Sequence, residues 1–139
     1  KKELFFTDVE GKTKDEVLKN LCRKVEQEKG LPETFTASVL KREELTPTDY
    51  GNLVALPHPE RAFQERAFVA VAVLKEPIFW FRQKVQVVFL TAIGREEDEN
   101  LQQFYEATTD LILRPADVQN LIRHPDYDRL IQLLRRAEE

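Results

Sequence analysis

The sequence predicts an α/β fold: a three-layer sandwich whose central sheet is mixed and mainly parallel, with helices on both faces. Ala67–Leu74 (Ala-Phe-Val-Ala-Val-Ala-Val-Leu) is apolar throughout, and Val85–Thr91 has Gln86 as its only polar interruption. Strands apolar on both faces need cover on both. Helix-period segments lie before and after these runs, enough to supply two covering layers.

Taken in order, Leu4-Phe5-Phe6 reads as an edge or first strand. Thr13-Lys14-Asp15-Glu16 has the form of a capping box. Behind it Val17, Leu18, Leu21, Cys22 and Val25 recur at helical spacing, and Gly30 supplies the stop. Pro32 suits the first turn of a second helix with Phe35, Val39 and Leu40 on its apolar face. Thr46–Asn52 reads as a loop leading into a strand over Leu53–Leu56. Pro77 should end the strand that begins at Ala67. From about Glu97 to Leu113 the residues Leu101, Phe104, Tyr105, Thr108, Leu111 and Ile112 repeat at helical spacing. Pro115 opens a short helix through Val118, Leu121 and Ile122, and a last helix from about Pro125 carries Leu130, Ile131, Leu133 and Leu134.

A chain of 139 residues is one domain by length, and 42% hydrophobic residues suffice for one core. The net charge of −4 argues against a nucleic-acid binder, which would need a basic footprint. One cysteine allows no disulfide framework and fits a reducing cytoplasm. Cys22, on an apolar helix face, is expected to be a small buried hydrophobe. No apolar run approaches the ~18–20 residues that span a bilayer, and no signal peptide is visible. The absence of methionine is expected of a module cut from something longer.

Most site types are excluded. Only four glycines occur, with no glycine-rich phosphate loop. The histidines are His58 and His124, and with one distant cysteine they have no zinc spacing. No Gly-x-Ser-x-Gly elbow appears. No metal or cofactor is expected. What stands out is Gly51-Asn52-Leu53-Val54-Ala55-Leu56-Pro57-His58-Pro59, a lone imidazole between two prolines after a short apolar strand. Each proline steers the residue before it toward extended geometry, so the backbone carrying His58 is stiff. By spacing alone this is a surface histidine in a proline turn or a pre-organised reactive group.

This segment resembles the active-site segment of the mannitol/fructose-type enzyme IIA domains of the bacterial sugar phosphotransferase system. Three other segments match in order: Lys41-Arg42-Glu43-Glu44-Leu45-Thr46-Pro47-Thr48; Pro77-Ile78 with Trp80, followed by Val85–Leu90; and Glu99-Asn100-Leu101-Gln102-Gln103-Phe104-Tyr105. The likeness runs from about Leu4 to Leu134, and residues 1–139 are read as one such domain. It is strongest to the C-terminal enzyme IIA-like domain of transcriptional regulators and antiterminators that carry phosphotransferase regulation domains.

The resemblance implies that His58 accepts phosphate from the phosphocarrier HPr through Nε2. Neutral imidazole is nucleophilic near neutral pH, because its ordinary pKa is about 6.5. Arg42 sits at the family's arginine position and is implied to hold the phosphoryl group; otherwise it is a solvated helix end. Thr48 and Asn52 are weaker binding candidates, as donors or turn formers. The family carries a second histidine where this chain has Asn100. Asparagine can donate a hydrogen bond but never carries positive charge, so Asn100 tilts the expectation toward a regulatory acceptor. It could equally be a helix N-cap. His124 is expected to be a surface or capping residue, and Trp80 and Phe104-Tyr105 to be packing residues.

Three functions remain open. One is a regulatory phosphohistidine domain of a sugar-responsive regulator, and a second is a transport component passing phosphate to an enzyme IIB. The third is an interaction module with no phosphoryl chemistry. Turnover beyond accepting phosphate stays open. Neither direct nucleic-acid contact nor membrane insertion is expected.

Overall fold

The computed structural model describes residues 2–138, and side chains through residue 135. After a 3-10 turn at Lys2–Leu4, strand β1 (Phe5–Phe6) precedes helix α1 (Lys14–Lys29). The Thr13 half of the expected capping box forms. Thr13 accepts from the Glu16 N–H at 3.2 Å, and Gly30 ends the helix at φ 66°. Val17, Leu18, Leu21, Cys22 and Val25 are all buried. Helix α2 (Thr34–Leu45) lacks a side-chain cap of its own. Glu26 of α1 substitutes, accepting from Thr36 N at 3.0 Å and Thr36 Oγ1 at 2.6 Å. These bonds tie the two helices directly to each other.

Asp49–Gly51, read in sequence as loop, forms a short strand β2 beside β3 (Val54–Ala55). The expected strand over Leu53–Leu56 shrinks to these two residues because Leu53 lies in the turn. Gly51, Asn52 and Leu53 all have positive φ, at 134°, 51° and 71°. A branched side chain resists that region, which costs roughly 1–2 kcal/mol. Tertiary bonds offset it: the Leu53 carbonyl accepts from Gln86 N at 2.8 Å and Val87 N at 2.9 Å.

Strands β4 (Phe68–Phe79) and β5 (Lys84–Ala92) form the long antiparallel pair at the centre. Pro77 does not end β4. It falls where the register shifts between Val73 and Ile78, so its missing N–H interrupts no ladder bond. The Gln86 amide fills that gap by donating to the Leu74 and Lys75 carbonyls, at 2.9 and 3.2 Å. The sheet order is β1-β4-β5-β3-β2, with β1·β4 and β3·β5 parallel and β4·β5 and β2·β3 antiparallel.

Helices α3 (Glu99–Ile112), α4 (Pro115–Arg123) and α5 (Tyr127–Glu138) follow. One core cluster packs α1 and α2 on one sheet face, through Leu18, Leu21, Phe35, Val88 and Leu90. A second packs the later helices on the other face, through Val71, Val87, Phe89, Leu111, Leu121 and Leu133. The sandwich therefore has the three layers that the two apolar runs demanded. Among the described residues no helix is long and apolar enough to cross a membrane.

Candidate phosphoryl site

His58 stands where the chain leaves β3, and its backbone is held on both sides. The Leu56 N–H donates to the Thr48 carbonyl and the Thr91 N–H to the Pro57 carbonyl, both at 3.0 Å. Beyond the histidine, the Glu60 N–H donates to Ser38 Oγ on α2 at 2.7 Å. Pro57 and Pro59 are buried, while His58 is half-buried. Its Nδ1 lies 3.3 Å from the Pro59 carbonyl oxygen. A carbonyl only accepts, so this contact places the proton on Nδ1 and leaves the Nε2 lone pair free. Rigid backbone and selected tautomer are what a nucleophilic imidazole needs.

Arg42 and Ser38 are one turn apart on the same face of α2. Since Ser38 binds Glu60, Arg42 belongs to the helix face that carries the His58 segment. Its guanidinium donates to the Thr46 carbonyl at 3.0 Å, at the helix end. Thr48 is brought to the same end through its carbonyl bond to Leu56. Its hydroxyl and N–H, however, both point to Glu43, at 2.7 and 2.6 Å.

Asn52 is not brought to His58. It sits at the opposite end of β3, where its amide donates to the Ile112 carbonyl at the end of α3. Along β5, Val87 lies opposite Val54 while Thr91 binds Pro57, a separation of roughly 13 Å at ~3.3 Å per residue. Asn52 is a turn former that anchors a helix.

Asn100 is exposed in the first turn of α3 and is not its cap. Asp98 caps the helix, accepting from Asn100 N at 2.9 Å and Leu101 N at 3.3 Å. Asn100 lines a cleft of about 340 Å³ between the start of β4, α3 and α5, with Phe68, Phe104 and Leu130. His58 is not part of that lining.

The same end of the sheet carries two loops that brace each other. Arg95 N donates to Gln64 O and Glu96 N to Glu65 O, each at 3.0 Å. Gly94 permits this approach, since a Cβ there would lie 2.3 Å from the Glu65 carbonyl oxygen. Tyr105 also acts here beyond packing: its hydroxyl meets Thr91 Oγ1 at 2.7 Å, and the Thr91 backbone holds Pro57. Helix α3 is thus linked to the histidine segment through β5.

Two supports were missed in the sequence, Glu43 and Ser38. Glu43 falls four residues after Val39 and eight after Phe35, on the apolar face of α2. A carboxylate at such a position was the available signal. It is 1% exposed and accepts from Trp80 Nε1 at 2.9 Å as well as from Thr48. Ser38 carried no sequence signal, because its partner is a backbone N–H distant in the chain.

The remaining residues behave as packing or capping groups. Cys22 is fully buried, and burial pushes its thiol well above the usual range. His124 is exposed at the end of α4, where its N–H donates to the Asn120 carbonyl. Among the described residues no His, Cys, Asp or Glu cluster could hold a metal ion.

Residues 1–137 match the family described as phosphoenolpyruvate-dependent sugar phosphotransferase system, EIIA 2. The chain is 37% identical over 130 residues to the "Probable licABCH operon regulator" of Bacillus subtilis (strain 168), covering 94% of this chain and 20% of that protein. It is 27% identical over 120 residues to "Transcriptional regulator ManR" of the same organism, covering 86% of this chain and 18% of that protein. The chain thus spans about a fifth of the length of these curated relatives. Among solved structures, enzyme IIA Mtl in its complex with phosphorylated enzyme IIB Mtl from Escherichia coli shares the fold. The TM-score is 0.75 at 18% identity, over 94% of this chain and 92% of that one.

Proposed function

This chain belongs to the EIIA 2 family of the phosphoenolpyruvate-dependent sugar phosphotransferase system, and on that premise we propose that it is a phosphohistidine domain accepting phosphate from HPr on His58. The observation that carries the reading is the His58 ring, whose Nδ1 is 3.3 Å from the Pro59 carbonyl while Nε2 is left as nucleophile. In the step, the Nε2 lone pair forms the new N–P bond as the N–P bond of phospho-HPr breaks. That bond's electron pair returns to the donor imidazole. The Nδ1–H stays on the Pro59 carbonyl and shares the positive charge that develops on the ring. Arg42, on the helix face bonded to the His58 segment, is the cation that would meet the phosphoryl oxygens by leaving Thr46.

The domain is read as a regulatory module of a larger sugar-responsive transcriptional regulator or antiterminator in the cytoplasm. Two observations support this: the relatives 37% and 27% identical to it are named as regulators, and Asn100 stands where the family resemblance implies a second histidine. A phosphoryl group adds roughly −1.5 to −2 charges at pH 7, enough to rearrange an interface with the rest of such a protein. The complex of the structural neighbour with phosphorylated enzyme IIB favours a second reading, onward transfer to a IIB partner.

Incubation with enzyme I, HPr and phosphoenolpyruvate tests the proposal. An acid-labile mass increase of one phosphoryl group, lost in His58→Ala, is the expected result. A folded wild-type domain that takes up no phosphate would leave only the interaction-module reading.

A further inference from the structure

Glu43 is a buried carboxylate that the phosphoryl chemistry does not use, and its surroundings are unusual. Its side chain is 1% exposed, on the apolar face of α2. Three donors converge on it: Thr48 N at 2.6 Å, Thr48 Oγ1 at 2.7 Å and Trp80 Nε1 at 2.9 Å. Two come from the residue that leads into β2, the third from the sole tryptophan, in the β4–β5 turn. Burying a carboxylate is costly, and a packed hydrophobe at such a site is often no worse for stability. A role in positioning accounts for its presence where stability does not.

The bonds run toward His58. Glu43 grips the N–H and hydroxyl of Thr48, and the carbonyl of that same residue receives the Leu56 N–H, two positions before the histidine. Glu43 also contributes to the rotation of α2, together with buried Phe35 and Val39 and the Glu26–Thr36 bonds. Consecutive helical residues are about 100° apart, so an inward Glu43 helps set the direction of Arg42 and, one turn back, of Ser38, which holds Glu60. Both flanks of His58 and its candidate cation are therefore connected to one carboxylate, through Thr48 and through α2.

Resting on the phosphohistidine reading, we infer that Glu43 is a positioning residue for phosphoryl transfer at His58. It acts through Thr48 and α2, with Trp80 closing the far side of the cluster. A carboxylate accepts at both oxygens, whereas an amide in the same place turns an NH₂ toward one of these donors. Glu43→Gln keeps the volume and breaks the pattern. Thr48→Val removes only the hydroxyl, and Thr48→Ser returns it.

The experiment compares these three variants with wild type for labelling rate by phospho-HPr, scaled to the folded fraction from urea denaturation. Nitrogen NMR of the His58 ring is recorded on the same samples without phosphate. Glu43→Gln and Thr48→Val are expected to slow labelling by about tenfold or more per folded molecule, as loss of an orienting partner does. Thr48→Ser is expected to recover most of the rate. The ring nitrogen signals of the two slow variants should move away from wild type, and those of Thr48→Ser should return. If Glu43→Gln does not fold, the Thr48 pair carries the test alone. Wild-type labelling rates in the folded variants would overturn the inference, since a purely structural carboxylate lowers only the folded fraction. If wild type itself takes up no phosphate, the phosphohistidine reading fails instead. The ring signals then decide on Glu43 by themselves, and unmoved signals overturn it.

Discussion

The Nδ1 atom of His58 lies 3.3 Å from the carbonyl oxygen of Pro59, the residue that follows it. The acceptor that selects the imidazole tautomer thus belongs to the histidine's own chain neighbour, and the proline ring restricts how that neighbour can turn. Proline's φ is locked near −65°, which removes one of the rotations between the ring and its acceptor.

Pro59→Ala keeps the carbonyl but releases this lock. Labelling of His58 by phospho-HPr is expected to slow several-fold, with stability in urea changing by about 1 kcal/mol or less. An unchanged rate would show that the bonds at Leu56, Pro57 and Glu60 hold the segment without the proline lock.

Tyr105→Phe removes the hydroxyl that meets Thr91 Oγ1 at 2.7 Å. Thr91 is fully buried, so its own hydroxyl is left without that partner. A loss of roughly 1–3 kcal/mol is expected from equilibrium urea unfolding. The labelling rate should fall as well, because Thr91 also holds Pro57.

Gly94→Ala drives a Cβ to 2.3 Å from the Glu65 carbonyl oxygen and 2.6 Å from Ala67 N. Both neighbours are backbone and cannot rotate away. The two braced loops must separate, at a cost of about 1–3 kcal/mol. A thermal midpoint within one degree of wild type would contradict the packing described here.

At the start of α3, Asp98→Ala should cost about 1 kcal/mol, since Asp98 caps Asn100 N and Leu101 N. Asn100→Ala should stay within ~0.5 kcal/mol, because Asn100 is exposed and not the cap. Urea midpoints of the two variants separate the roles that the sequence left merged in one asparagine.

Burial pushes the Cys22 thiol above its ordinary value, and Glu26 nearby adds to the shift. The native protein should resist alkylation at pH 8 and react only on unfolding. The folded state holds this proton more tightly than the unfolded chain does. Its contribution to stability is therefore complete below the unfolded thiol's pKa and declines as pH rises above it. Cys22→Ala should remove that alkaline component of the stability curve.

The layer order was legible in the sequence because burial on two faces leaves a compositional mark. Ala67–Leu74 and Val85–Thr91 had to be covered twice, and both core clusters confirm it. Caps such as Thr13 and Gly30 were legible because their partners lie within a few residues. The course of β4 past Pro77 was not, since it depends on Gln86 supplying bonds from another strand. Nor was β2, whose backbone pairs only once Leu53 has turned through positive φ.

At the candidate site the division is the same. The sequence by itself determined the stiff Pro-His-Pro exit and the family, because these reside in local geometry and residue identity. Only the tertiary structure decided that Asn52 belongs to the far end of β3 and that Asp98 caps α3. It alone also showed that Glu43, rather than a charged surface residue, ties Thr48 to Trp80. Hydrogen-bond partners separated by 37 residues, as Glu43 and Trp80 are, leave no periodicity and no local propensity. Their pairing exists only after the helices and strands have packed.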